Sequence, residues 1–140
     1  MNLKNIEMRD NMKRIAIVGS RNYPNKQLVI DFISNLPQDT ILISGGAKGV
    51  DSWAEDEFKN RGMRTEIYHA DWYPLGIFDR SAGFKRNYVI VQNADEIVAF
   101  LFNDSRGTSH SIRVAREQNK PVTIIDENGN LIENVQRSEN

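Results

Sequence analysis

Residues 40–51 decide the fold, and they have the sequence TILISGGAKGVD. The segment begins with a short run of apolar and β-branched residues, which is typical of a strand buried on both faces of a parallel sheet. Glycines follow, and a helix with an apolar face begins directly after them. A strand that ends in glycine before a helix leaves backbone N–H groups free, and a phosphate can bind to them.

The same succession of strand, glycine turn and helix recurs twice. Residues 14–18, RIAIV, precede the turn GSRN at 19–22. Residues 96–101, EIVAFL, precede a turn that contains RGTSH at 106–110. Three such turns in one small domain predict a ligand of nucleotide type. Neither the Gly-x-Gly-x-x-Gly fingerprint nor a Walker motif is present, so we expect neither an ordinary NAD dehydrogenase nor an ATPase.

The alternation of strands and helices predicts an α/β fold. Apolar runs indicate five strands, at residues 14–18, 40–44, 64–68, 96–101 and 121–125. We therefore expect a Rossmann-like three-layer α/β/α sandwich with a mostly parallel sheet in the order 3-2-1-4-5. In that order the chain reverses direction between strands 1 and 4, and ligands bind in the crevice outside the carboxyl ends of the strands.

The pattern predicts one Rossmann-like nucleotide-binding domain, at residues 14–126. A polar lead-in, residues 1–13, precedes it. A polar tail, residues 127–140, follows it, and Asn128-Gly129 could turn a small hairpin there.

A long loop at residues 69–82 connects the third strand to the next helix. Loops of this length in a compact domain are usually functional. The helix that follows, at about residues 83–93, is expected to bury Phe84, Tyr88 and Val91.

The composition excludes several kinds of site and partner. The 140 residues include no cysteine and two histidines, so we expect no disulfide, no metal site and no cofactor. No segment approaches the roughly 18 apolar residues of a membrane span, and the polar N-terminus is unlike a signal peptide. We therefore expect a cytoplasmic protein without a membrane partner. The net charge of −1 disfavours coating of a nucleic-acid backbone, and we do not expect nucleic acid as a partner.

The glycine turns supply most candidate ligand-binding residues, because glycines admit a phosphate closely, cations attract it and hydroxyls donate hydrogen bonds. Alternatively, the glycines only form tight turns, and Ser20, Asp51 and Ser109 only cap helices. The predicted ligand-binding residues are Gly19, Ser20, Arg21, Gly45, Gly46, Ala47, Lys48, Gly49, Asp51, Asp71, Trp72, Lys85, Arg86, Asn87, Arg106, Gly107, Thr108, Ser109 and His110.

Two of these groups lie outside the glycine-containing loops. Residues 85–87, KRN, open a helix, where cations oppose the helix dipole, so a nearby anion explains them better than local stability does. Asp71 and Trp72 could frame a base by hydrogen bonding and stacking, or Trp72 could fill the core. In the third turn, His110 could donate to a phosphate or lie passively at the surface.

An ordered set of short motifs resembles a known family. The set is GSR at 19–21, GGAKGVD at 45–51, ADW at 70–72, AGFKRN at 82–87 and RGT at 106–108. It is similar to the small stand-alone SLOG proteins of bacteria and phages, Rossmann-like domains related to the LOG cytokinin-activating hydrolases and to the DprA fold. The resemblance covers about residues 14–125 and implies a homodimer or a higher homo-oligomer.

The resemblance also implies which residues hydrolysis would require. LOG-type enzymes cleave the N-glycosidic bond of a nucleoside monophosphate with an arginine and a glutamate. Arg86 matches that arginine, whereas Ser111 stands where the glutamate is expected. A serine cannot stabilise an oxocarbenium-like centre as a carboxylate does. Asp71, Asp79 or Asp104 could replace it, and Arg86 and Asp71 are the catalytic candidates.

Three functions follow as hypotheses. The main one is a binding module that captures a nucleotide or nucleotide-derived ligand, such as an ADP-ribose-like or cyclic nucleotide signal, for sensing or sequestration. The second is a LOG-like nucleoside monophosphate hydrolase with a displaced carboxylate. The third is DprA-like binding of single-stranded DNA, for which Lys48, Arg80, Lys85, Arg86 and Arg106 could form a local basic patch.

Overall fold

The computed structural model describes residues 12–135, in which helices and strands alternate along the chain. Most of the predicted lead-in, residues 1–11, and the end of the tail, residues 136–140, lie outside the described residues. The strands are β1 (Arg14–Gly19), β2 (Ile41–Ser44), β3 (Thr65–Ile67), β4 (Glu96–Phe100), β5 (Val122–Ile125) and β6 (Leu131–Val135). The helices are α1 (Lys26–Ser34), α2 (Val50–Asn60), α3 (Ala82–Gln92) and α4 (Arg106–Glu117), with a 3₁₀ turn at Pro74–Gly76.

The sheet has the strand order β3-β2-β1-β4-β5-β6. β1 pairs in parallel with β2 and β4, β2 pairs in parallel with β3, and β4 with β5. The predicted fold class and the predicted order 3-2-1-4-5 are therefore confirmed. β1 and β4 end side by side, with Gly19 in register with Phe100. The predicted crevice lies beyond these two residues.

A sixth strand extends the sheet beyond the five that the apolar runs predicted. β6 pairs antiparallel with β5 after a turn in which the Asp126 carboxylate accepts hydrogen bonds from the backbone N–H groups of Asn128 and Asn130. The side chains of Leu131 and Ile132 are 58% and 56% exposed. Because β6 is held by backbone pairing at the sheet edge, its sequence has no pattern of a buried face.

Two apolar layers enclose the sheet. Successive residues of β1 alternate between them, so that Ile15 and Ile17 face α1 and α2, whereas Ala16 and Val18 face α3 and α4. Each fully buried large side chain contributes roughly 1.5–3 kcal/mol to folding. Because both faces are covered by helices, ligands reach the sheet at the ends of its strands.

Helix α3 buries a different face from the one predicted. Phe84 and Tyr88 are 38% and 45% exposed, whereas Asn87, Ile90 and Val91 are buried. The prediction was wrong for the two aromatic residues because apolar residues occur on more than one face of this helix. The ring of Phe84 stacks instead on His110 of α4, with centroids 4.1 Å apart.

Candidate functional site

A cleft of about 500 Å³ opens where the carboxyl ends of β1 and β4 meet. The loops after these strands form two of its walls, the first turns of α3 and α4 form further parts, and the long loop before α3 closes the rim. The lining residues are Val18, Gly19, Ser20, Arg21, Asn22, Ala47, Asp51, Trp72, Arg80, Gly83, Phe84, Arg86, Asn87, Ile90, Phe102, Asn103, Asp104, Ser105, Gly107, Thr108 and Ser111.

Ser20 joins the two strand-end loops. Its hydroxyl donates to the carbonyl of Phe102 at 3.1 Å and accepts from the backbone N–H of Phe102 at 3.0 Å. The side chain is buried, with 3% of its surface exposed. Ser20 therefore fixes the floor of the cleft, while the next two residues, Arg21 and Asn22, are exposed.

Two backbone N–H groups of the glycine turn after β2 already have a partner within the chain. The carboxylate of Asp51 accepts hydrogen bonds from the backbone N–H groups of Gly45 and Ala47, both at 3.2 Å. Burial raises the pKa of Asp51 to about 6, against the lowering effect of these bonds and of Arg86. Since the carboxylate already holds these two N–H groups, this turn does not offer them to a phosphate.

Gly49 lets the same turn approach the loop after β1. Its φ is +83°, and a Cβ atom there would lie 2.8 Å from the carbonyl oxygen of Arg21. Both features require glycine. The turn thus supports the backbone that carries Arg21 at the mouth of the cleft.

Arg86 extends from α3 into the centre of the site. Its Nη1 donates to the carbonyl of Gly45 at 2.6 Å, and its Nε donates to Oδ1 of Asn87 at 3.2 Å. The pKa of the guanidinium is lowered, mainly by burial. The charge of Asp51 opposes this shift, and the charge of Arg21 adds to it.

Three arginines line the cleft, namely Arg21, Arg80 and Arg86, and they are called the cleft arginines below. Among residues 12–132, whose side chains the structure describes, none of them has an ion-pair partner. Two carboxylates, those of Asp51 and Asp104, share the lining. The cleft therefore has an excess of positive charge, although the whole chain is slightly acidic.

The first turn of α4 brings a helix N-terminus to the cleft. The hydroxyl of Ser105 accepts from the backbone N–H of Thr108 at 3.5 Å and donates to the Thr108 hydroxyl at 3.1 Å. Ser111 Oγ donates to the carbonyl of Gly107 at 3.3 Å. The helix dipole adds partial positive charge at this end of the cleft.

The structure brings about half of the predicted site residues together. Those that line the cleft are Gly19, Ser20, Arg21, Ala47, Asp51, Trp72, Arg86, Asn87, Gly107 and Thr108. Those that do not are Gly45, Gly46, Lys48, Gly49, Asp71, Lys85, Arg106, Ser109 and His110.

Several residues outside the lining have partners of their own. Lys85 pairs with Asp79 at 2.7 Å, so the anion that its position at a helix start suggested is a neighbouring side chain. The Asp71 carboxylate accepts from the backbone N–H of Tyr73 at 3.2 Å. His110 is buried beside Phe84, 3.2 Å from the amide nitrogen of Asn87, and burial lowers its pKa.

Other lining residues were not among the predicted ones. Arg80 entered only as part of a basic patch, and Asp104 only as a possible substitute for the missing glutamate. Asn22 ends the predicted turn at 19–22, and Asn103 and Ser105 precede the turn at 106–110. Helical spacing could have found a further group, since residues 83, 86–87 and 90 lie on one face of α3. The unpredicted lining residues are Val18, Asn22, Arg80, Gly83, Phe84, Ile90, Phe102, Asn103, Asp104, Ser105 and Ser111.

Neither a cluster of metal ligands nor a membrane-spanning helix occurs in the described part of the chain. Residues 12–132 contain no group of three or more histidines, aspartates or glutamates that could hold a metal ion. Over the same residues, the helices are too short or too polar to cross a bilayer.

Comparison with known proteins finds a family model and a phage protein that match this chain in sequence. A family model described as DNA recombination-mediator protein A matches residues 4–68. The Gene 61 protein of Mycobacterium phage D29 is 31% identical over 121 residues, which cover 79% of this chain and 94% of that protein.

Solved structures with the same fold include two DNA processing proteins A (DprA). The Streptococcus pneumoniae protein matches with a TM-score of 0.69 and 19% identity over 89% of this chain, which spans 52% of that protein, about half its length. The Helicobacter pylori protein, described in a single-stranded DNA binding mode, matches with a TM-score of 0.59 and 21% identity, over 85% of this chain and 67% of that protein.

These matches correct two predictions. The main hypothesis of a nucleotide-derived signal ligand is wrong, because the family match at residues 4–68 concerns a DNA recombination mediator. The exclusion of nucleic acid as a partner is wrong on the same ground. That prediction relied on the net charge of −1, which averages over the whole surface. The cleft itself is lined by three arginines and two carboxylates.

This chain and the phage protein align over most of their lengths. The chain belongs to the family of the Gene 61 protein of Mycobacterium phage D29, with the Rossmann-like fold of the DprA proteins.

Proposed function

We propose that this protein binds single-stranded DNA in the cleft between β1 and β4, with the cleft arginines on its phosphates. The observation that supports this most is that these three guanidinium groups line one groove without an ion-pair partner among residues 12–132. Arg86 is partly buried, and a partly desolvated charge without a counter-ion is unfavourable until an anion binds, while the exposed Arg21 and Arg80 add positive charge at the mouth of the groove. The backbone of a single strand supplies such anions at regular spacing.

A single strand suits the lining better than a duplex does. Trp72 and Phe84, 41% and 38% exposed, lie beside the arginines at the rim and in the wall of the cleft. Aromatic side chains stack on unpaired bases, whereas the bases of a duplex are already stacked inside it.

The carboxylate of Asp51 does not oppose this use of the cleft. Asp51 directs its carboxylate to the N–H groups of Gly45 and Ala47. It therefore acts as a brace for the glycine turn, while the guanidinium of Arg86 remains available on the cleft side.

The test is fluorescence anisotropy of a labelled oligothymidine at low salt. We expect Arg86→Ala and Arg21→Ala each to weaken binding by about tenfold, since each removes a charged hydrogen bond to phosphate. The slope of log K against log[salt] should also fall by about 0.7 for each phosphate that the variant no longer neutralises. Arg86→Lys keeps the charge and should retain part of the affinity.

Arg61→Ala is the matched control, because Arg61 is also an exposed arginine but pairs with Glu57 at 2.6 Å, away from the cleft. Its affinity should equal that of the wild type. Absence of any binding by the wild type at low salt would overturn the proposal, and so would an equal loss in Arg61→Ala and Arg21→Ala.

Two further features of the chain remain proposals. We place it with the SLOG domains on the motif order, and we propose that residues 14–126 form the binding domain of a homo-oligomer. Sedimentation equilibrium of the full chain tests the oligomer, since a monomer at all concentrations would contradict it.

A further inference from the structure

The long loop before α3 exposes an unusual amount of apolar surface. The exposed fractions are 41% for Trp72, 64% for Tyr73, 100% for Leu75, 71% for Ile77 and 59% for Phe78. Single exposed apolar residues are normal, but a contiguous group of this kind indicates a binding surface. Trp72, Tyr73 and Phe78 are called the aromatic platform below.

The rings of the platform contact one another. Trp72 and Phe78 have centroids 6.4 Å apart and planes inclined by 15°, and Tyr73 lies 5.6 Å from Phe78. Because Trp72 and Phe78 are nearly parallel, bases stacked on them would also lie nearly parallel, as successive bases of one strand do.

The loop is folded back on itself and is anchored at its end. The backbone N–H of Asp79 donates to the carbonyl of Trp72 at 2.8 Å, which closes the loop behind Phe78. The Asp79 carboxylate accepts from Ser81 Oγ at 2.6 Å and pairs with Lys85 at 2.7 Å. These bonds fix the platform relative to α3.

The platform continues the cleft. Trp72 belongs to both, and a Cβ atom on Gly83 would lie 3.3 Å from its indole ring, so the ring lies against the first turn of α3. Arg80, at the end of the same loop, also lines the cleft. Both ends of the loop that carries the platform therefore reach the cleft.

We propose that the aromatic platform stacks unpaired bases of the strand bound in the cleft, so that the binding site extends over the outer surface of the loop. This rests on the proposed function. The charge supports a nucleic acid as the occupant, since Arg80, two residues after Phe78, lines the cleft together with Trp72 and has no ion-pair partner among residues 12–132. The ring geometry supports bases, because planar faces are what a base requires.

The chain offers an internal reporter for the test. It has two tryptophans, and Trp53 lies partly buried on α2 outside the cleft lining. In a Trp53→Phe background, tryptophan fluorescence therefore reports on Trp72. We expect oligothymidine to quench it, and an abasic oligonucleotide of equal length, which has the phosphates without the bases, to leave it nearly unchanged. A Trp72→Phe variant that keeps Trp53 should show no quenching.

Affinity distinguishes stacking from general apolar contact. We expect Phe78→Leu to weaken oligothymidine binding by about tenfold, the loss of one base–aromatic stack, and to leave binding of the abasic oligonucleotide unchanged. Leu75→Ala is the matched control, because Leu75 is fully exposed in the same loop but has no ring. Its affinity should equal that of the wild type.

The outcomes separate the two proposals. If oligothymidine binds and depends on Arg86, but Trp72 is not quenched and Phe78→Leu binds normally, the platform proposal is overturned and the proposed function stands. Equal losses in Phe78→Leu and Leu75→Ala would also overturn it, in favour of general apolar contact between the loop and the strand. If the wild type binds no oligonucleotide at all, the proposed function is overturned, and the platform proposal is overturned with it.

Discussion

The two edges of the sheet use their arginines in opposite ways. At the amino-terminal edge, Arg14 donates to both carboxylate oxygens of Glu66, at 2.9 and 2.5 Å, and to the carbonyl of Asn93 at 2.7 Å. At the carboxyl-terminal edge, the cleft arginines have no ion-pair partner in residues 12–132. This difference separates an arginine that stabilises the fold from those that we propose to bind a ligand.

The carboxylates differ in the same way. The hydrogen bond from Arg14 lowers the pKa of Glu66. Burial raises the pKa of Asp51 to about 6. Ionisation therefore stabilises the protein at one edge and destabilises it at the other, which mutations and pH can test.

The largest effect is expected at the close approach of the two glycine turns. Gly49→Ala places a Cβ atom 2.8 Å from the carbonyl of Arg21 and forces alanine to adopt a φ of +83°. We expect a loss of about 3–4 kcal/mol in the free energy of unfolding, measured by urea denaturation, from the combined strain and clash.

Gly62→Ala is the control for this substitution. Its φ is +67°, but nothing lies within 4 Å of the added atom. It should lose only the conformational part, about 1–2 kcal/mol. Equal losses in the two variants would show that the carboxyl-terminal edge does not depend on this close approach.

The next effect concerns pH. The pKa of Asp51 is raised from 3.8 to about 6, so its stabilising contribution is complete below about pH 4 and is lost as the pH rises through 6. Relative to Asp51→Asn, the wild type should lose up to about 3 kcal/mol between pH 4 and pH 7.

Glu66 should respond with the opposite sign. Because its pKa is lowered, its contribution is present above its unfolded pKa and is lost as the pH falls through the folded one. The wild type should therefore gain stability over Glu66→Gln as the pH rises, as followed by urea denaturation at several pH values. If the free energy of unfolding changed with pH in the same direction at both positions, the proposed difference between the two edges would be contradicted.

The smallest effect is expected for Arg14→Ala. It removes a charged pair whose side chains are 29% and 28% exposed, so the loss is discounted for solvent to about 2 kcal/mol. The affinity for oligothymidine should not change, in contrast to Arg21→Ala. A loss of affinity in Arg14→Ala without a loss of stability would contradict the assignment of this edge to the fold alone.

The sequence allowed the sheet to be predicted because buried strands such as residues 14–18 and 40–44 are continuous apolar runs. The sixth strand was not predicted, because Leu131 and Ile132 are exposed and its sequence lacks the apolar pattern of a strand with a buried face. Edge strands are formed by backbone hydrogen bonds, which any side chain permits.

Topology allowed the position of the cleft to be predicted, since the order of the strands determines where the chain reverses. The hydrogen-bond and ion-pair partners of individual side chains could not be predicted. That Asp51 occupies the N–H groups of Gly45 and Ala47 depends on side-chain geometry, and that Lys85 pairs with Asp79 depends on how the long loop folds back.

The two hydrogen bonds between Ser20 and Phe102 have a mechanical consequence. They join the loops on either side of the cleft at its base, so spreading these loops breaks both bonds, at about 1 kcal/mol each. The width of the groove is thereby set before anything enters it. Under the proposed function, a longer strand would bind more tightly by running along the groove and over its outer lip, whereas a bulkier ligand would first have to break these bonds.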